Sequence, residues 1–163
     1  MTILRETPLG FWTLSEQFCI AAERLEKSCK RLGTIVLRGP VTIPILYLFG
    51  HSIELSLKAY LLTKGLSVAN VKALGHDLDT LLAEACHHGL DDVAPLTAKD
   101  KGRIAFVNEW YVIKRLEYPR SGWLPIVEAG DVARRLLTGL KGPCTARSGD
   151  FRPHRQSPET GAS

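Results

Sequence analysis

Apolar residues recur at three- and four-residue steps along most of this chain, the period of an amphipathic helix. Leu14, Phe18, Ala21, Ala22 and Leu25 mark a first helix from about Trp12 to Leu32, closed by Gly33. Before it, residues 1–11 read as an irregular N-terminus, with Pro8 and Gly10 as breakers. The polar face of this helix carries Glu23, Arg24, Glu26, Lys27, Lys30 and Arg31. Its charge turns positive toward the C-terminal end, where the helix dipole favours cations. A second helix is predicted from about Val41 to Lys64, with Pro40 or Pro44 in or near its first turn and Gly65 at its end. Leu46, Phe49, Ile53, Leu57, Tyr60 and Leu61 form its wide apolar face, and Leu48, Leu55, Ala59 and Leu62 carry apolar character around the other side. A helix apolar on nearly all sides belongs in the middle of a bundle or in an interface.

Ser67 to Gly75 reads as a connection with room for one helical turn. A third helix starts at the N-cap Asp77, runs to about His88 and stops at Gly89, with Leu78, Leu81, Leu82 and Ala85 inward. A fourth starts at Thr97 or Asp100 and carries Ile104, Val107, Tyr111 and Leu116 to about Glu117. Pro119, Ser121 and Gly122 make a turn. A fifth runs from Leu124 or Pro125 to Leu140, stopped by Gly142 and Pro143. Residues 142–163 lack period and apolar content and read as a disordered tail. No strand-like alternation of useful length and no internal repeat is present. The pattern predicts an all-α chain: an up-and-down bundle of four to five helices over residues 12–141.

Composition narrows this only a little. With 163 residues and 45% hydrophobic content, one domain with an ample core is expected. The net charge is +4, of which the tail from Gly142 carries +1, so the folded part lacks the clustered charge of a dedicated nucleic-acid binder. Cys19, Cys29, Cys86 and Cys144 form no C-x-x-C pair. Reduced thiols, the absence of a signal-like start and the absence of an uninterrupted apolar span imply a cytoplasmic protein outside the membrane.

The candidate chemistry sits on the apolar second helix. His51, Glu54 and Lys58 are spaced i, i+3 and i+7 and share one face, with Tyr47 a turn earlier. They make either a polar pocket in which Glu54 orients its neighbours or a simple Glu54–Lys58 pair. Burying unpaired charge is costly, so a charged stripe on such a helix points to pairing or use. In Gly75-His76-Asp77-Leu78, Asp77 caps and Gly75 permits the turn; His76 either packs there or binds an anion or shuttles a proton. Cys86, His87 and His88 are consecutive and point apart on a helix, so no metal site is expected. Lys114, Arg115 and Arg120 flank Tyr118 and Pro119, either as helix-end charge or as a grip on a phosphate or base. No nucleophile elbow, phosphate-binding glycine loop, HExxH or dinucleotide fingerprint occurs. Ser52 and Ser56 do not share a face with His51, which argues against a Ser–His nucleophile.

The series His51, Glu54, Lys58, then His76, Asp77, Leu78 and Leu81, then Tyr118 and Pro119, resembles the HEPN (higher eukaryotes and prokaryotes nucleotide-binding) family over roughly Leu14 to Leu140. The resemblance implies a four- or five-helix bundle, often a homodimer. Many members are RNA endonucleases of toxin–antitoxin, CRISPR or abortive-infection systems, and others are non-catalytic partners of nucleotidyltransferases. The nuclease members carry Arg, four to six residues, then His near the last helices. Arg103, Arg115, Arg120, Arg134 and Arg135 have no histidine at that spacing, and the one match, Arg147 to His154, falls in the tail beside a proline. The expectation is therefore a non-catalytic HEPN-like module binding a nucleotide, RNA or protein partner through His51, Glu54, Lys58, His76, Arg115 and Tyr118, with no metal or cofactor. The alternative is a metal-independent ribonuclease with His76 as acid or base and Arg115 or Lys58 stabilising the phosphorane. A pure interaction module, an antitoxin or scaffold without a small ligand, is the third reading.

Overall fold

Thr7 and Pro8 start the first helix earlier than the periodicity predicts. The computed structural model describes residues 6–31, 42–113 and 128–146, and every regular element among them is helical. In chain order these are α1 (Pro8–Arg31), α2 (Thr42–Thr63), α3 (Val68–Ala73), α4 (Leu78–His87), α5 (Leu90–Val93), α6 (Ala98–Tyr111) and α7 (Ala129–Thr145). Proline takes the first helical position of α1, where its missing N–H costs least. Oγ1 of Thr7 accepts the N–H of Gly10 at 3.0 Å and closes that first turn. Of the irregular N-terminus expected over residues 1–11, the part from Pro8 to Phe11 is corrected accordingly: Pro8 begins a helix instead of breaking one, and residues 1–5 lie outside the described residues.

α2 is the central helix. Every residue from 52 to 62 is buried, and α1, α4, α6 and α7 all pack against it. Its longest neighbour, α1, approaches through small polar side chains: the Ser15 hydroxyl lies 2.7 Å from the Ser52 carbonyl and 2.7 Å from the Ser56 hydroxyl, with all three serines fully buried. Trp12 fastens α1 to α7 by donating its indole N–H to the Leu137 carbonyl at 3.1 Å. The phenol of Tyr60 donates to the carbonyl of His88 at 2.8 Å and ties α2 to the end of α4.

Two short helices supplement the five that the pattern predicts. α3 is the single turn foreseen in the connection, capped by Ser67, whose side chain accepts from Asn70 N–H. α5 is not foreseen. Gly89, at φ +82°, turns the chain out of α4 in a conformation that side-chain-bearing residues rarely take, and Leu90 drops into the core. α6 opens as one of the two predicted starts proposes: Oγ1 of Thr97 accepts from Asp100 N–H, and the Asp100 carboxylate accepts from Thr97 N–H, a reciprocal cap.

α7 runs past its predicted end. The helix continues through Gly142 and Pro143 to Thr145. A proline this late removes one bond to a carbonyl four residues back. Burial of Cys144, which is 2% exposed, and donation from the Thr145 hydroxyl to the Lys141 carbonyl at 2.7 Å hold the last turn. The expected end of the fourth helix at Glu117, the turn at Pro119, the start at Leu124 and the tail beyond residue 146 lie outside the described residues. No described helix is long and apolar enough to cross a membrane. The four cysteines are free thiols.

Candidate functional site

Glu54 lies at the middle of α2 and is 1% exposed. An isolated carboxylate could not stay ionised there. Lys58, one turn further along, donates to Oε1 at 2.6 Å. Tyr111, on the last turn of α6, donates to Oε2 at 2.6 Å. His76, from the turn before α4, places Nδ1 3.0 Å and 3.1 Å from the two oxygens. His51, one turn before Glu54, brings its own Nδ1 to 3.4 Å from Oε2. Burial by itself would push the carboxyl up; hydrogen bonds from His51, Lys58, Tyr111 and His76 outweigh it and hold Glu54 well below the usual carboxylate range.

The turn presenting His76 is built by its neighbours. Gly75 adopts φ +67°, so the chain reverses before α4. Asp77 caps α4 as expected, accepting from the N–H groups of Asp79 and Thr80. Asn108 of α6 clamps the same turn. Its Oδ1 accepts Leu78 N–H at 2.9 Å, and its Nδ2 donates to Asp77 at 2.8 Å and to Asp79 at 2.9 Å. For Asp77, burial raises the carboxyl, but Asn108, Thr80 and two backbone N–H groups lower it further, so it stays ionised below its ordinary range.

The tautomers of both histidines follow from this geometry. An ionised carboxylate only accepts, so His76 donates from Nδ1. Tyr111 spends its proton on Glu54, so its oxygen is left to accept from Nδ1 of His51, 2.8 Å away. In the neutral state each imidazole therefore carries its proton on Nδ1 and a lone pair on Nε2. Neither Nε2 has a partner among the described residues, and neither is sealed from solvent. The His76 side chain is 63% exposed and that of His51 22%. Around His51, Phe18 meets the ring edge-on with centroids 4.5 Å apart, and Tyr47 lies 8° from parallel at 6.1 Å.

His51, Glu54, Lys58 and His76, which the sequence singles out, thus meet at one carboxylate. Arg115 and Tyr118 lie outside the described residues. Tyr111, marked by its spacing only as a core position, and Asn108 and Phe18 complete the arrangement. A signal for Tyr111 did exist, because a buried phenol hydroxyl requires a partner. Elsewhere, His87 and His88 meet edge-on at 5.4 Å, and His88 lies 3.2 Å from Glu84. Among the described residues no group of three or more His, Cys, Asp or Glu side chains is placed to hold a metal ion. A surface cleft between α5 and α7 contains Arg134 and Arg135, but Arg134 is paired with Glu23 and Asp131, and Arg135 lies 3.5 Å from Asp100. No family model matches the sequence, and no curated protein or solved structure matches it.

Proposed function

We propose that the chain is a non-catalytic HEPN-like module, working as a homodimer, that binds a nucleotide or RNA at the face centred on Glu54. The observation that carries this reading is the paired presentation of His51 and His76. One buried carboxylate, directly and through Tyr111, holds both rings by Nδ1, while the His76 side chain stays 63% exposed and that of His51 22%. Such a constellation preorganises a contact surface at the expense of burying a charge, which a purely structural core does not require. Calorimetric titration of the intact protein with AMP and with a short RNA tests it. Binding that falls about tenfold or more in His76→Ala, with an unchanged helical circular dichroism spectrum, supports the site. Binding indifferent to that change removes it.

The ribonuclease reading keeps one specific observation in its favour. An imidazole anchored by a carboxylate at Nδ1 with a free Nε2 is the arrangement a general base requires. Cleavage of RNA in the presence of chelator, lost in His76→Ala, would select it over the binding module.

A further inference from the structure

An imidazole whose Nδ1 proton is committed to a carboxylate keeps its lone pair on Nε2, and that atom is a nucleophile. At His76 the commitment is firm. Nδ1 lies 3.0 Å and 3.1 Å from the two oxygens of Glu54, which is itself 1% exposed and is further held by Lys58 and Tyr111, each at 2.6 Å. The turn that carries the ring is fixed as well, since Asn108 accepts from Leu78 N–H and donates to Asp77 and Asp79. Even so, the His76 side chain is 63% exposed. The ring is thus anchored on a buried group while most of its surface stays open to solvent. Among the described histidines only His76 combines the two. His51 is 22% exposed and packs edge-on against Phe18. His88 points Nε2 itself at Glu84, 3.2 Å away, and His87 lies against His88.

We infer that His76 is a phosphoryl acceptor: its Nε2 takes an activated phosphoryl group and becomes a phosphohistidine. The Nε2 lone pair forms the N–P bond while the bond from phosphorus to its leaving group breaks, and the leaving group departs with that electron pair. The ring becomes an imidazolium, and the charge of Glu54, already at Nδ1–H, balances it with no proton moved. Phosphorus suits this nitrogen because an N-phosphoryl bond persists in water long enough to be passed on, whereas an acyl-imidazole hydrolyses. Asp77 and Asp79, one and three residues further along the chain, add like charge near the product. They raise the free energy of the phosphorylated ring, so the group is held for onward transfer and not for storage. This acceptor role goes beyond nucleotide binding and does not depend on it.

The probe is phosphoramidate, whose P–N bond breaks on transfer and releases ammonia. The native full chain, and the same chain unfolded in urea, are incubated with it at neutral pH. Mass spectrometry follows phosphate on the His76 peptide, and phosphorus NMR identifies the nitrogen that carries it. Native His76 is expected to react at least about tenfold faster than in urea, although folding covers part of its side chain. The product should be the Nε2 isomer from the first time point, because Nδ1 is occupied by Glu54. Glu54→Gln combined with Lys58→Met, in a sample whose circular dichroism is still helical, should lower the rate to that of the unfolded chain. Native labelling no faster than in urea overturns the acceptor role, and so does phosphate on Nδ1. A rate that stays high without the carboxylate overturns it too, since the activation would not come from Glu54. None of these outcomes touches the nucleotide-binding reading, which stands or falls on affinity.

Discussion

Tyr111 donates its proton to Glu54 at 2.6 Å and receives one from His51 at 2.8 Å, so a single phenol oxygen sets the tautomer of an imidazole on another helix. The ring reaches that place because position 50 is glycine. A Cβ there would lie 3.1 Å from Tyr111 Cδ2 and 3.2 Å from Val107 Cγ1.

Tyr111→Phe removes the hydroxyl and keeps the ring. Glu54 loses one of its donors and His51 its nearest acceptor, so stability should fall by about 1.5–3 kcal/mol, the range for a hydrogen bond to a charged group. Urea unfolding measures the loss, and nitrogen NMR of His51 should show the Nδ1–H form giving way to a tautomer mixture. A His51 spectrum unchanged in the variant would remove Tyr111 from the relay.

Glu54→Gln leaves the Lys58 ammonium buried without its counter-charge, an arrangement that costs roughly 3–5 kcal/mol. Adding Lys58→Met should return part of that. The pH dependence has a definite sign. The folded carboxyl is depressed from its ordinary value of 4.5, so its stabilisation is complete above that pH and is lost as pH falls below it. Asp77 and Asp100 are depressed as well and act in the same direction. Acid unfolding curves should therefore be shallower in Glu54→Gln than in the wild type, without becoming flat.

Glycines at two helical positions should respond oppositely to alanine. At Gly139 of α7 a Cβ would fall 2.6 Å from the Val93 carbonyl oxygen and 2.7 Å from Ala94 Cβ. The obstruction is backbone, so Gly139→Ala should cost about 1–3 kcal/mol as α5 is forced away. At Gly102 of α6 nothing lies within 4 Å. Gly102→Ala should stabilise by roughly 0.5–1 kcal/mol through helix propensity alone. Thermal melts of the two variants moving the same way would contradict the packing described for α7.

Thiol labelling should separate the cysteines. Burial pushes Cys19 up to about 11 and Cys144 up to about 12, and Cys29 is buried. Cys86 is partly exposed, although burial and the nearby Asp91 raise it too. A chromogenic disulfide reagent at neutral pH should modify Cys86 first and the other three only on unfolding. Rapid reaction of more than one thiol in the native protein would contradict that burial pattern.

The parts of this structure that are local in the chain are legible in the sequence. Asp77 as a cap, Gly65 and Gly89 as stops, and the Glu54–Lys58 pair each depend on residues within four positions of one another. The long-range partners are not legible. Asn108 meets Asp77 and Leu78 across about thirty positions, and nothing in the residues around it marks that clamp. The start of α1 and the end of α7 depart from the pattern for one reason. Proline and glycine read as breakers in the sequence, whereas Pro8 sits at a first helical turn and Pro143 in a last one held by Cys144.

The hydroxyls of Ser15, Ser52 and Ser56 have a consequence for the alignment of the two longest helices. A seam of leucines can slide by one helical turn and still find apolar partners. Three fully buried hydroxyls cannot, because a slide leaves each without its mate in a medium that offers no water. The pair α1–α2 thus carries its own key for registration, set by three atoms with no charge among them. Phe18 lies one turn beyond Ser15, so the key that aligns the helices also decides which ring stands against His51.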